Sequence, residues 1–100
     1  MKTGIELIAQ EREEQIEKHG RTIDADVKNN KSGELSFAAA ALSCPNPESM
    51  GLSSANNYSC PTGWDVKIWT KMILKPYKDR LIIAGALLAA EIDRLQARRQ

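Results

Sequence analysis

The chain is poor in the side chains on which most metal and nucleophilic chemistry depends. Its 100 residues hold one histidine, His19, and two cysteines, Cys44 and Cys60. One imidazole excludes a multi-histidine metal centre. Two cysteines outside a CxxC spacing exclude a zinc ribbon or a disulfide scaffold, and both thiols are expected to be free. Neither sign of charge is in excess. Fourteen basic against 13 acidic residues leave a net charge of +1, which argues against a dedicated nucleic-acid binder. Long hydrophobic runs are missing too, since the stretch from Leu81 to Ala90 is about half of what a bilayer-spanning helix requires. Near the N-terminus Glu6 and Gln10 break any secretory core, so a cytoplasmic location without membrane contact is expected. No GxGxxG, Walker, HExxH, GxSxG or EF-hand pattern occurs, which removes support for dinucleotide, P-loop, zinc-protease, serine-hydrolase and calcium chemistry.

What is present is an ordinary globular balance, 42% apolar and 27% charged, in a length that suits a single domain over residues 1–100. The patterning is helical. Ile5, Ile8, Ala9, Arg12 and Ile16 recur at steps of three and four, which predicts an amphipathic helix over 5–18. Thr3 and Glu6 have the spacing of a capping box, and Gly20 suits a left-handed stop. Residues 21–32 show no period and collect Asp24, Asp26, Asn29 and Asn30, so a loop is expected there, with Ser32 capping the next helix. That helix, alanine-rich over 34–42, ends at Cys44 and Pro45, because proline disfavours helical angles in the residue before it.

The segment 44–63 is predicted to be a long irregular loop. A short helix comes after it, from Trp64 to about Leu74, and then a long one from Tyr77 to Arg99. In the long helix Leu81, Ala84, Leu88, Ile92 and Leu95 form one stripe, while Ile82, Ile83, Ala86, Leu87 and Ala90 cover most of the rest. A helix apolar nearly all round is buried nearly all round, and a chain this small has too few other helices to cover it. The fold expected is therefore all-α, a small bundle of three main helices plus one short helix, completed by homo-oligomerisation.

Carboxylates are the chemistry that remains, since oxygen ligands hold Mg²⁺ and the ion then grips phosphates. Arg12 and Gln15 lie on or beside the first helix's apolar stripe, with Glu11 next to it; they are either inward-facing or snorkelling from the rim. Glu34 sits in the first turn of its helix, where the dipole favours a carboxylate whatever its role. Glu91 interrupts an apolar helix between Ala90 and Ile92, so it needs either a cation, with Arg12 a candidate, or a metal. Asp79 is placed either to cap the last helix or to serve as a ligand.

Several segments together resemble a known group: ERxxQ at Glu11, Arg12 and Gln15; GRTID with Asp26 after it; GEL at Gly33 to Leu35; GWD at Gly63 to Asp65; and KPYKDRLIIAGALLAAEIDRL from Lys75 to Leu95. The chain is similar in these to small phage and mobile-element proteins related to the MazG-like, all-α nucleoside triphosphate pyrophosphohydrolase superfamily. The resemblance covers nearly all of it except the loop between the cysteines. It implies an oligomeric helical bundle and, in active members, Mg²⁺-dependent cleavage of a nucleoside triphosphate to monophosphate and pyrophosphate. On that basis Glu34 and Asp79 would be catalytic, Glu34, Asp79, Glu11 and Glu91 would hold Mg²⁺, and Arg12 and Lys75 would meet phosphate. The family's ExxE and ExxD pairs are each half present. Glu34 has Lys31 and Phe37 at the positions three away, and Asp79 has Pro76 and Ile82. The implied alternative is a non-catalytic helical oligomerisation or interaction module of the same origin.

Overall fold

The computed structural model describes residues 1–45 and 60–97, and among these it contains five α-helices and no strand. Helix α1 runs Gly4–His19, α2 Ile23–Asn29, α3 Glu34–Leu42, α4 Val66–Ile73 and α5 Tyr77–Ala97. No helix among the described residues is long and apolar enough to cross a membrane. Most of the expected 44–63 loop, residues 46–59, lies outside the described residues, as do Arg98 and Arg99.

The first helix begins as its sequence dictates. Thr3 Oγ1 accepts the Glu6 N–H at 3.2 Å, and a Glu6 carboxylate oxygen accepts the Thr3 N–H at 2.9 Å, so two donors with no partner inside the helix are satisfied at once. Gly20, at φ 65°, closes the helix in the left-handed region. The buried face matches the expected stripe only in part. Ile5 is 82% exposed and Ile16 lies at the surface, while Arg12 and Gln15 are buried. Helix α1 therefore turns Ile8 and then the polar Arg12 and Gln15 inward.

Residues 23–29 are a helix where a loop was expected. Thr22 caps it, its hydroxyl accepting the Ala25 N–H at 3.2 Å, and Asp24 and Asp26 occupy the first turn, where the dipole favours them. Ser32 does not cap α3. Gly33 takes that place at φ 87°, and the Glu34 carboxylate accepts the Ser32 N–H at 2.8 Å instead. Asp65 caps α4 by accepting the Lys67 and Ile68 N–H groups, so Trp64 falls just outside that helix.

Helix α5 is the element on which α1, α2 and α3 all pack. Its contact face is built from Ile83, Ala84, Ala86, Leu87 and Ala90, and with Leu35, Ala38, Ala39, Leu42, Trp69, Met72 and Ile73 it makes the core. Helix α1 runs alongside it in the same direction, as the pairs Ile8–Gly85 and Arg12–Asp93 show. Helix α3 runs the opposite way, because its last residue, Leu42, offers its carbonyl to Arg80 at the start of α5. Arg80 is buried and also donates to the carbonyls of Lys75, Cys44 and Pro45; it closes one end of the core by satisfying backbone acceptors. No motif or periodicity marks it for that part.

The stripe expected to be covered is largely open within one chain. Leu81, Leu88, Ile92 and Leu95 are all exposed, and at 3.6 residues per turn they share an arc of about 60°. Of that stripe only Ala84 is buried. Cys44 and Cys60 are free thiols.

Gly85 sets the approach of α1 to α5. A Cβ there would lie 2.5, 2.8 and 3.3 Å from three Ile8 carbons, and a β-branched side chain has few rotamers in which to retreat. Gly85→Ala should therefore destabilise by about 1–3 kcal/mol, despite alanine's better helix propensity of about 1 kcal/mol. In an Ile8→Ala background the same change should stabilise. Chemical denaturation of the four-member cycle checks both signs.

Candidate functional site

A layer of charged and amide groups crosses the bundle between α1, α2 and the second half of α5. Arg12, Gln15, Asp26 and Arg94 are all buried in it. Each is placed by a helix packed into the bundle, so the polar groups have little route to solvent except past one another. Arg12 donates to the Arg21 carbonyl at 3.1 Å and to Asp93 at 3.2 Å. Gln15 Nε2 donates to Glu11 at 3.1 Å. Arg94 grips Glu91 with two bonds, 2.7 and 2.9 Å, one turn apart on the same helix. The counter-charge of Glu91 is therefore Arg94; Arg12, the expected partner, pairs with Asp93.

Asp26 is the most deeply buried carboxylate, 1% exposed. Burial pushes its pKa up, and Asn30, Arg12 and Arg21 only partly offset this. One oxygen accepts from Asn30 Nδ2 at 2.8 Å, and Asn30 Oδ1 accepts the Trp64 indole N–H at 2.9 Å. A relay thus runs from a half-buried indole to a buried carboxylate. The Arg94 hydrogen bond draws Glu91 below the ordinary carboxylate range. Burial lowers the pKa of Arg21, and the attraction of Asp26 and Glu11 opposes that.

The layer is not fully satisfied. Arg12 Nε, Gln15 Oε1, Asp26 Oδ2 and Arg94 Nη1 are buried with no partner among the described residues. An unpaired buried polar group costs about 1–3 kcal/mol, so two donors and two acceptors left open in one layer oppose folding. Native structures keep such groups where ordered water, an ion, strain or a functional role accounts for them.

Beside the layer, between α1 and α4, an open cleft of about 500 Å³ is lined by Glu11, Glu14, Gln15, Arg21, Lys71 and Lys75, with Ile83 among its apolar lining residues. Glu11 and Glu14 are one turn apart on α1, Lys71 lies in the last turn of α4, and Lys75 follows in the turn between α4 and α5. Carboxylates and ammonium groups thus line one space. A second hollow, about 430 Å³, lies between α2, α3 and the Thr62–Asp65 turn. Arg21 and Ile68 line both.

The expected site residues are distributed unevenly over this geometry. Glu11 and Lys75 meet in the cleft, and Arg12 and Glu91 belong to the layer. Glu34 lies near enough to Arg94 to be felt by its charge, and its carboxylate holds the Ser32 N–H. Asp79 is exposed in the first turn of α5, twelve positions before Glu91, or roughly 18 Å along the axis. It does not join Glu91 on one ion. No group of three or more acidic, histidine or cysteine side chains among the described residues is gathered tightly enough to hold a metal by itself. Asp26, Arg21 and Arg94 carry no site reading in the sequence, and the ExxE pair of Glu11 and Glu14 reads there as part of a solvated Glu-rich face. For Asp26 the one available signal was its place after the GRTID segment; for Arg94 it was the three-residue step from Glu91 on a helix that had to pair its charge.

No family model, no curated protein and no solved structure matches the chain.

Asp26 gives the layer a test in pH. A carboxylate whose folded pKa is raised binds its proton more tightly in the native state, so its contribution to stability is present at low pH. That contribution is lost as pH rises from the ordinary 3.8 through the higher folded value. Asp26→Asn, neutral throughout, should gain stability relative to the wild type across that interval and hold the gain at neutral pH. Urea denaturation of both proteins at stepped pH measures the difference, and a constant offset at every pH would contradict it.

Proposed function

We propose that the chain is a MazG-like nucleoside triphosphate pyrophosphohydrolase that hydrolyses the α–β phosphoanhydride to yield monophosphate and pyrophosphate. The observation that carries this reading is the cleft in which Glu11 and Glu14 stand with Lys71, Lys75 and Arg21. Mg²⁺ is commonly held by one or two carboxylates, several waters and the substrate's own phosphates, and a helical ExxE pair suits that incomplete ligand set. Glu11 uses one oxygen for Gln15, leaving the other for a ligand. When bound, the ion would supply Lewis-acid polarisation of a phosphoryl oxygen. Lys71, Lys75 and Arg21 bring positive charge to the remaining phosphate oxygens. The resemblance in ERxxQ and in the segment from Lys75 to Leu95 supports the same chemistry.

In this reading Glu11 and Glu14 replace the half-present ExxE of Glu34. Glu34 and Glu91 become neighbours that offset the charge of Arg94. Lys75 keeps its phosphate role, and Arg12 acts by holding the Arg21 backbone. Asp79, a candidate catalytic and metal residue by resemblance, lies too far along α5 to serve with Glu91.

A pyrophosphate-release assay over standard and modified nucleoside triphosphates tests the proposal. Mg²⁺-dependent release is expected, with Glu11→Gln and Glu14→Gln each lowering kcat by two or more orders of magnitude and Asp79→Asn leaving it within a few-fold. No release from any triphosphate, with no change in melting temperature on adding Mg²⁺ and nucleotide, would contradict it.

The exposed row Leu81, Leu88, Ile92 and Leu95 favours a second role alongside the first. It supports homo-oligomerisation through α5, since soluble chains seldom leave an apolar helix face open. Leu88→Asp should convert a sedimenting dimer or larger species to a monomer; a wild type that is already monomeric at tens of micromolar would remove this role.

A further inference from the structure

The second hollow supplies what the charged cleft lacks, a surface for something flat and uncharged. Its walls include Asn29, Asn30, Thr62, Asp65, the Trp64 indole and Arg21. The Arg21 guanidinium lies over the Trp64 ring, 5.3 Å from its centroid. Trp64 is in turn fixed, edge-on to buried Trp69 with centroids 6.0 Å apart, and through its N–H to Asn30. A guanidinium seated over a fixed indole offers a planar cation, and such planes stack nucleobases. Asn29 is exposed at the rim, where its amide offers a donor and an acceptor side by side, the pairing that base edges present. At about 430 Å³ the hollow is within the usual range of small-molecule sites.

We infer that this hollow holds the base and sugar of a nucleotide whose phosphates lie in the neighbouring charged cleft, with Arg21 at the junction of the two. The inference rests on the pyrophosphohydrolase reading for the phosphate end, but the hollow itself is testable without any cleavage. Arg21 and Ile68 line both spaces, so one ligand spans them without crossing the core. Asn29 then contacts the base, Arg21 stacks on it while facing the first phosphate, and Lys71 and Lys75 meet the terminal ones. The relay from Trp64 through Asn30 to Asp26 ties the stacking wall to the buried layer, so that occupying the hollow is felt at Asp26.

Calorimetric binding of unphosphorylated nucleosides and of Mg²⁺ tripolyphosphate to the intact protein separates the two ends. At least one nucleoside should bind at millimolar concentration or tighter. Asn29→Ala should weaken it about tenfold, the worth of one or two hydrogen bonds, while leaving tripolyphosphate binding unchanged. Lys71→Gln should do the reverse. Asn29 and Lys71 are exposed, so both variants are expected to fold, and a melting curve for each verifies it. Tripolyphosphate binding without nucleoside binding would overturn the base site and leave the phosphate cleft standing. Nucleoside binding sensitive to Asn29 without tripolyphosphate binding would support the hollow and overturn the hydrolase reading. Nucleoside binding indifferent to Asn29, or binding of neither probe, would overturn the inference.

Discussion

The structure depends on one helix being narrow enough for others to reach its backbone. Helix α5 carries Ala84, Gly85, Ala86 and Ala90 where its neighbours approach, and α1, α2 and α3 all take their positions from it. Small residues bring helix axes together, and close axes bring long side chains from opposite helices into a shared layer. That proximity is what sets Arg12 of α1 beside Asp93, and Asp26 of α2 within electrostatic reach of Glu91 and Arg94. Core packing and charge clustering therefore share one cause. Loosening the α1–α5 contact would disperse the charged layer as well as weaken the core.

The charged layer opposes folding in several ways. Asp26 is desolvated, four buried polar atoms have no partner among the described residues, and Arg12 and Arg94 are buried, each in one ion pair. An apolar layer of similar volume would fold as well or better, because replacing buried ion pairs with packed hydrophobics is often neutral or stabilising. The layer adjoins two hollows lined by lysines, carboxylates, an amide rim and an arginine–tryptophan stack. Gln15 of the layer lines the charged cleft, and Asp26 is joined to the second hollow through Asn30, so a ligand in either space, as proposed, would act on the layer through those two residues.

Much of the fold was legible from residues alone. The capping box of Thr3 and Glu6, the left-handed Gly20, the alanine-rich α3 and the long α5 all follow from local rules that tertiary contacts do not override. Helix α2 was not legible, because seven residues rich in Asp and Asn carry no apolar period. Its stability comes from the Thr22 cap and from the Asp26–Asn30–Trp64 hydrogen bonds, the last of which joins residues 34 positions apart. The inward face of α1 is legible in its middle and not at its ends. Ile8 packs on Gly85 and Arg12 and Gln15, the inward polar candidates, are buried, whereas Ile5 and Ile16 of the same stripe stay exposed because the layer that α1 faces is polar. Of the site, Glu11, Arg12, Lys75 and Glu91 were legible as candidates, while the pairing of Glu91 with Arg94 and the place of Arg21 between two hollows depend on three-dimensional contacts.

On the proposal that the cleft beside the buried charged layer takes a nucleotide's phosphates, the layer should respond when that nucleotide binds. The most direct measurement is a side-chain NMR titration of the ¹⁵N-labelled protein with Mg²⁺ and a non-hydrolysable nucleoside triphosphate analogue. It follows the arginine Nε–H and tryptophan indole resonances. Arg21, Arg12 and the Trp64 indole should shift together along one saturating curve, while the backbone amides of the Thr3–Glu6 cap stay in place. Resonances of Arg21, Arg12 and Trp64 that remain unmoved at saturating nucleotide would contradict the proposal.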